Sequence, residues 1–340
     1  MKMTASSTPT AAVATSATLP MAAKADTIEI NGFTWKYTPN ESTKTMTIDE
    51  VPEGANAEDF PWSLVIAGDT YKVTSLSSPI KKHLTGKLTV PAHVTEISGN
   101  YFFQYNNFTA AIVETSADTP EGFLTTCTNL RSAWFKVAGV DLKNLFTGST
   151  GMKVALFGPD SGGWSNKGYP FNSTTCSDCK FYYPGGSTRG WNSIWGMGGS
   201  GIEAIPYGAG RDINLEVDEE EKTITATVTT ASRLVSVLKS APYFKSDFGL
   251  EVHISITNAI DLSGVTITDE MVSGVTFQAK TQTQLVSVLA MFPSTTPIMI
   301  DPTGLTENMV IPDGYHNVYV KTVPGVTIRR TASGFMVIVK

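Results

Sequence analysis

Bulky aromatics return at a near-constant interval in the middle of this chain, and that interval limits the available folds more than any other feature. Phe123 lies twenty residues after Phe103, and Phe146 lies twenty-three residues after Phe123. By eye, KLTVPAHVTEISGNYFFQYNNFTA, AIVETSADTPEGFLTTCTNLRSA and WFKVAGVDLKNLFTGSTGMKVAL align as loose copies. A unit of this length cannot bury its apolar face alone, so such units stack into a solenoid in which each turn covers the next. Within a unit, a short strand such as Leu88-Thr89-Val90 lines one wall. Val94, Ile97 and Phe103 point inward, and Asn107 or Asn129 bonds the turning backbone. This spacing predicts three turns over residues 76–157.

The flanks of that array have their own patterns. Residues 1–25 contain no acid, and the A-x-A-like Ala23-Lys24-Ala25 reads either as the end of a signal-like leader or as part of a disordered Ala/Thr/Ser tail. Residues 26–75 read as an N-terminal β cap. In it, TIEINGFTWKY alternates around an Asn31-Gly32 turn, placing Phe33, Trp35 and Tyr37 on one face. Trp62 reads as a packing anchor. Residues 158–210 are rich in Gly and aromatics and read as a closing cap or an aromatic loop. Because an array needs both ends shielded, residues 26–210 are expected to fold as one unit.

Residues 211–340 read as a separate duplicated module. RLVSVL at 233–238 recurs as QLVSVL at 284–289, each copy between strand-like segments and followed by Pro242 or Pro293. Strand–helix–strand units with parallel crossovers are one reading, and a β-branched strand in place of each helix is the other. VYVKTV, VTIRR and GFMVIVK close the chain as three short strands.

VPAHVTEI and FLTTCTNLRSAWF resemble the BspA-like leucine-rich repeats of bacteria, whose units run from a strand through Pro and Ile to an aromatic-x-x-Cys-x-x-Leu element. NGFTWKYTPNESTKTMTI is similar to the sheet cap before such arrays, and CKFYYPGGSTRGWNSIW to the segment that ends them. The likeness covers about residues 28–200. The chain departs from the pattern in having few units, one Cys127 in place of a Cys column, and an acidic stretch at 114–118. The resemblance implies a β-rich or α+β protein with a short leucine-rich-repeat solenoid, secreted or at the bacterial cell surface. It also implies non-enzymatic recognition or adhesion, with an extracellular protein or glycan held on the repeat face.

Composition narrows the alternatives. A net charge of −6, from 25 basic and 31 acidic residues, disfavours a nucleic-acid binder, which needs a basic footprint. No apolar run is long enough for a transmembrane helix. Three cysteines exclude a disulfide-dense scaffold and cannot alone complete a four-Cys zinc site. Cys176 and Cys179 form a C-x-x-C that reads as a local disulfide, while Cys127 reads as a free core thiol. Gly196 to Gly201 match G-x-G-x-x-G, but Pro206 interrupts any helix after them, so a flexible loop is expected. Asp218 to Glu221 read as a charged hairpin tip. Asn40, Asn107 and Asn172 begin sequons, which matter only in a suitable secretory route.

No catalytic motif and no cofactor motif is recognisable, and the chain reads as a non-enzyme. The candidate ligand contacts are Trp164, Tyr169, Tyr182, Tyr183, Trp191 and Trp195, whose flat faces suit sugars or protein partners. The competing reading, favoured by the need to shield the last turn, is that these aromatics plug the array. Self-assembly through strand edges is the alternative function, and a carbohydrate-active enzyme or its accessory module is the third.

Overall fold

The structure is a computed structural model describing residues 25–164, 168–185, 191, 196–257, 260–304, 309–315, 317–321, 328–330 and 338–339. It begins with a five-stranded sheet in the order Asp26–Ile30, Phe33–Asn40, Thr45–Glu50, Asp69–Lys72, Ser63–Ile66. The first hairpin closes at Asn31 and Gly32, both with positive φ, as a two-residue turn of that composition requires. Trp35 and Tyr37 are buried on the same side, and Trp62 is half-buried with its ring 4.1 Å from that of Phe60. This sheet shares one continuous apolar core with the array that follows.

Six parallel strands come next: Lys87–Val90, Ala110–Val113, Ser132–Phe135, Val154–Phe157, Thr175–Pro184 and Ser200–Tyr207. Each pairs with its predecessor in the chain, so the backbone advances one rung per turn. The register Lys87–Ala110–Ser132–Val154–Lys180–Glu203 gives 22 to 26 residues per turn. Phe103, Phe123, Phe146 and Phe171 are fully buried, with ring centroids 5.2 Å apart for Phe103–Phe123 and for Phe146–Phe171. The aromatic interval of the sequence is therefore the pitch of a coil. The coil outruns the expected 76–157, because residues 158–210 contribute two further rungs. Trp191 closes over Phe157 and Tyr183 and donates Nε1–H to the Ser161 carbonyl at 3.0 Å.

A column of small polar side chains turns the backbone inside this coil. Asn106 accepts from the Leu84 N–H and donates to the carbonyls of Ile80 and Phe103. Cys127 donates its thiol to Phe103 O, and Ser149 Oγ accepts from the Cys127 N–H and donates to Leu124 O. Cys176 donates its thiol to Ser149 O. The turning residue is thus Asn106 rather than Asn107 or the exposed Asn129. Only a side chain facing the coil axis can reach backbone groups on two adjacent rungs.

The last third is a second coil. Its seven-stranded sheet runs Ile213–Asp218, Thr223–Val228, Glu251–Ile256, Val275–Gln278, Ile298–Asp301, Val318–Lys321, Ile338–Val339. The first pair is antiparallel, and every later pair is parallel and in chain order. Its turns take 20 to 28 residues along Thr225–His253–Thr276–Met299–Tyr319, close to the pitch of the first coil. Both copies of the LVSVL motif are helical, in Ala231–Phe248 and Gln282–Ala290. Their 51-residue offset spans two turns, since the crossover between them carries only the four-residue helix Asp269–Val272. Each copy is thus a helix between two parallel strands, as one of the two sequence readings has it, and the two units are alternate turns of one coil.

The first helix also runs through Pro242 instead of ending before it. Its last turn is held by anchors beyond the proline. Phe244 meets Tyr182 at 5.8 Å, Phe248 meets Trp134 at 5.6 Å, and Asp247 pairs with Arg131. Gly249, with φ 72°, then ends it.

These anchors define how the coils stack. Along the first coil's strands, Ala133, Phe135, Ala155, Phe157 and Phe181 face its interior. The alternate residues Trp134, Val154, Leu156, Tyr182, Ile205 and Tyr207 face outward into a second core, shared with the helices of the second coil. Residues 26–210 are thus not a self-contained unit, because most of one sheet face is completed by residues 211–340.

Candidate functional site

The outward strand face of the first coil is the surface expected to bind a partner, and the chain's own helix occupies it. Arg131 reaches Asp247 with two bonds of 3.0 and 2.7 Å, and Ser132 adds a third at 2.6 Å. Tyr182 Oη lies 2.9 Å from Ser240 Oγ. Glu203 pairs with Lys180 at 2.9 Å and with Arg233, and accepts from Ser236 at 3.0 Å. Burial pushes the carboxyls of Asp247 and Glu203 upward, but these donors outweigh it and hold both below their ordinary values. Both are therefore ionised near neutral pH and fix the second coil on the first.

Most of the expected contact aromatics are consumed in the same packing. Tyr182 is fully buried, and burial pushes its phenol well above the usual range. Trp191 is 2% exposed, and the half-buried Tyr183 stacks on it at 5.5 Å. Trp164 closes a short strand, Gly162–Trp164, paired with Gly139–Asp141, and its side chain lies outside the described residues, as does all of Trp195. Tyr169 alone of the six is a described, surface-exposed ring, at 43%.

Cys176 and Cys179 are free thiols rather than a disulfide, and Cys127 is free as well. The two hydrogen-bond each other at an irregularity of their strand, where Asp178 takes φ 71°. Cys176 belongs to the turning column and Cys179 to the core, so packing rather than a covalent loop places them. Mutual hydrogen bonding lowers the Cys176 thiol and raises that of Cys179. Burial pushes Cys127 up to about 12. The Gly196–Gly201 run leads into the strand Ser200–Tyr207, where a dinucleotide site needs a helix. Asp218 caps a hairpin tip, accepting from the Glu220 and Glu221 N–H groups.

Among the described residues, nothing packs over the strand face of the second coil, where most side chains are half-buried. The residues alternating with its core form two rows across the sheet. One runs Glu216–Thr225–His253–Thr276–Met299–Tyr319, and the other Asn214–Thr227–Ser255–Gln278–Asp301 with Lys321 at its end. Asp301 is buried, accepts from Thr303 and pairs with Lys321 at 3.4 Å. Burial pushes the His253 imidazole down, so it is neutral at physiological pH and the rows carry little net charge. A cleft of about 630 Å³ opens at the junction of the coils, over Trp134, Pro159, Pro184, Tyr207 and Val217. Lys136 crosses it, 4.6 Å above the Trp134 ring and paired with Glu114 and Glu219.

Among the described residues, no three His, Cys, Asp or Glu side chains are grouped to hold a metal ion, and no helix is long and apolar enough to cross a membrane. No family model, curated protein or solved structure matches this chain. The open rows escaped sequence reading because their Thr, Ser and Gln residues look like ordinary solvated strand positions. The signal was the β-branched alternation in TITATVTT and VTFQAK.

Proposed function

We propose that this chain is a non-enzymatic recognition protein of the BspA-like leucine-rich-repeat kind, secreted or displayed on a bacterial cell surface. It binds an extracellular protein or glycan through the open strand face of its second coil. One observation carries the reading: of two strand faces, the first is packed against the chain's own helix, while the second presents two mostly polar rows of little net charge with no cover among the described residues. Hydroxyl and amide groups at rung spacing suit a partner recognised by many weak hydrogen bonds rather than by charge. The turn length and the Asn106–Cys127–Ser149–Cys176 column support the repeat-family reading, since such arrays use Asn or Cys at that corner.

The test is binding of residues 26–340 to panels of extracellular-matrix proteins and glycans. Thr225→Lys with Thr276→Lys places two cations beside His253 at the centre of the face. The double variant should lose binding while keeping its melting temperature within a few degrees. Undiminished binding would move the interface elsewhere. Self-assembly has one observation in its favour, the edge strand Ser63–Ile66 with Val65 60% exposed. Light scattering on a size-exclusion column separates the two readings, a monomer supporting recognition and a concentration-dependent oligomer supporting assembly.

A further inference from the structure

A second surface lies along the flank of the first coil, away from both sheets. Consecutive rungs bring Tyr101, Glu121, Asn144 and Tyr169 into one row. The Tyr101 N–H bonds to Glu121 O, the Gly122 N–H to Lys143 O, and the Asn144 N–H to Tyr169 O, at 2.8 to 3.0 Å. Rungs are about 4.8 Å apart, so the tyrosines at the two ends of the row stand about 14 Å apart.

Both end tyrosines are seated in the same way. A Cβ on Gly122 would collide with the Tyr101 ring, and a Cβ on Gly198 would collide with Cβ and Cγ of Tyr169. Each ring therefore rests on the bare backbone of the following rung, which fixes one face. Tyr169 stays 43% exposed, and Tyr105, one corner from Tyr101, is 49% exposed. Together they are two of the few large exposed rings of the molecule.

Polar groups fill the space between. Glu121 Oε1 accepts from Tyr101 Oη at 3.0 Å and from Asn144 Nδ2 at 2.9 Å. Its other oxygen pairs with Lys143 at 2.8 Å. Asn172 extends the row, donating to Asn144 Oδ1 at 3.5 Å. The Glu121–Lys143 pair cancels charge, and Asp141 beside it leaves nothing to attract an anion.

We propose that this flank is a binding site for a linear, neutral oligosaccharide, with Tyr101 and Tyr169 as end platforms and Glu121, positioned by Asn144, as the hydroxyl-reading group. Pre-seated rings present a flat apolar face to the C–H side of a pyranose at little entropic cost. Between them, Asn144 holds the Glu121 carboxylate in place, and Glu121 Oε2, which accepts from Lys143, keeps a lone pair for a sugar hydroxyl. The span fits a short oligosaccharide. The site is separate from the open sheet face and stands or falls without it.

The experiment is isothermal titration of residues 26–340 with cello-, xylo-, manno-, malto- and laminarihexaose. At least one should bind with Kd below about 1 mM. Tyr169→Ala should weaken it tenfold or more at unchanged melting temperature, and Tyr169→Phe should restore it. The Thr225→Lys, Thr276→Lys variant should bind as the parent does, which distinguishes failure of this site from failure of the sheet face. Binding of none of the five, or binding that Tyr169→Ala leaves intact, would overturn the proposal. So would capture of only a sulfated glycan such as heparin.

Discussion

Asn106 shows how much one side chain contributes to a coil. It is fully buried and makes two bonds to the rung behind and one within its own turn, satisfying the Leu84 N–H and the Ile80 and Phe103 carbonyls. Asn106→Ala strands those groups in the core and should cost about 3 kcal/mol, read as a lower urea midpoint with the slope unchanged. The sequence points to the neighbouring Asn107, because two adjacent asparagines look alike until the phase of the turn is known. Cysteine was half legible for the same reason. Cys127 was recognisable as a core thiol from its apolar neighbours. The role of Cys176 depends on Ser149, a column partner that no cysteine spacing reveals. All three thiols of the reduced native chain should resist alkylation and react together in urea; fast native labelling of Cys127 would contradict its burial.

The helix Ala231–Phe248 is the element on which the two coils depend, and two predictions concern it. Pro242 sits in its interior on the exposed side and removes a backbone hydrogen bond. Pro242→Ala should therefore stabilise the chain by about 1–3 kcal/mol, measured by urea unfolding. The second prediction is a pH dependence. Asp247 and Glu203 are held below their ordinary values in the folded chain, so the unfolded chain binds more protons in the acid range. Their contribution is complete above about pH 4.5 and is lost as the pH falls through the folded values. Asp247→Asn should flatten the acid limb of the stability curve and lower the plateau near neutrality. The helical period of LVSVL was visible in sequence, but the length of the helix was not. Its continuation past Pro242 depends on Phe244, Asp247 and Phe248, whose partners lie about a hundred residues upstream or more, apart from Tyr182.

At the scale of the whole molecule, two coils of similar pitch share one core. Residues 26–210 alone would expose Trp134, Val154, Leu156, Tyr182 and Ile205 on a single sheet face. That fragment should aggregate or bind hydrophobic dyes, whereas residues 26–340 should unfold in one cooperative step seen alike by fluorescence and far-ultraviolet circular dichroism. The β-rich character, the first hairpin and the aromatic pitch were legible, because each rests on local patterning. The stacking of one coil on the other was not. Outward residues such as Trp134 and Leu156 read from sequence as ordinary strand alternation, and only tertiary pairing shows what covers them.

A stack of rungs joined only to their neighbours peels apart one turn at a time when its ends are pulled, since each step breaks a single ladder. Here the helix crosses the stack as a splint, anchored at Ser132 through Asp247, at Tyr182 through Ser240 and at Glu203 through Arg233 and Ser236. Tension along the first coil must therefore shear several anchors at once before any rung in that span can open. In a single-molecule pulling experiment, the segment from Arg131 to Glu203 should yield last and at the highest force.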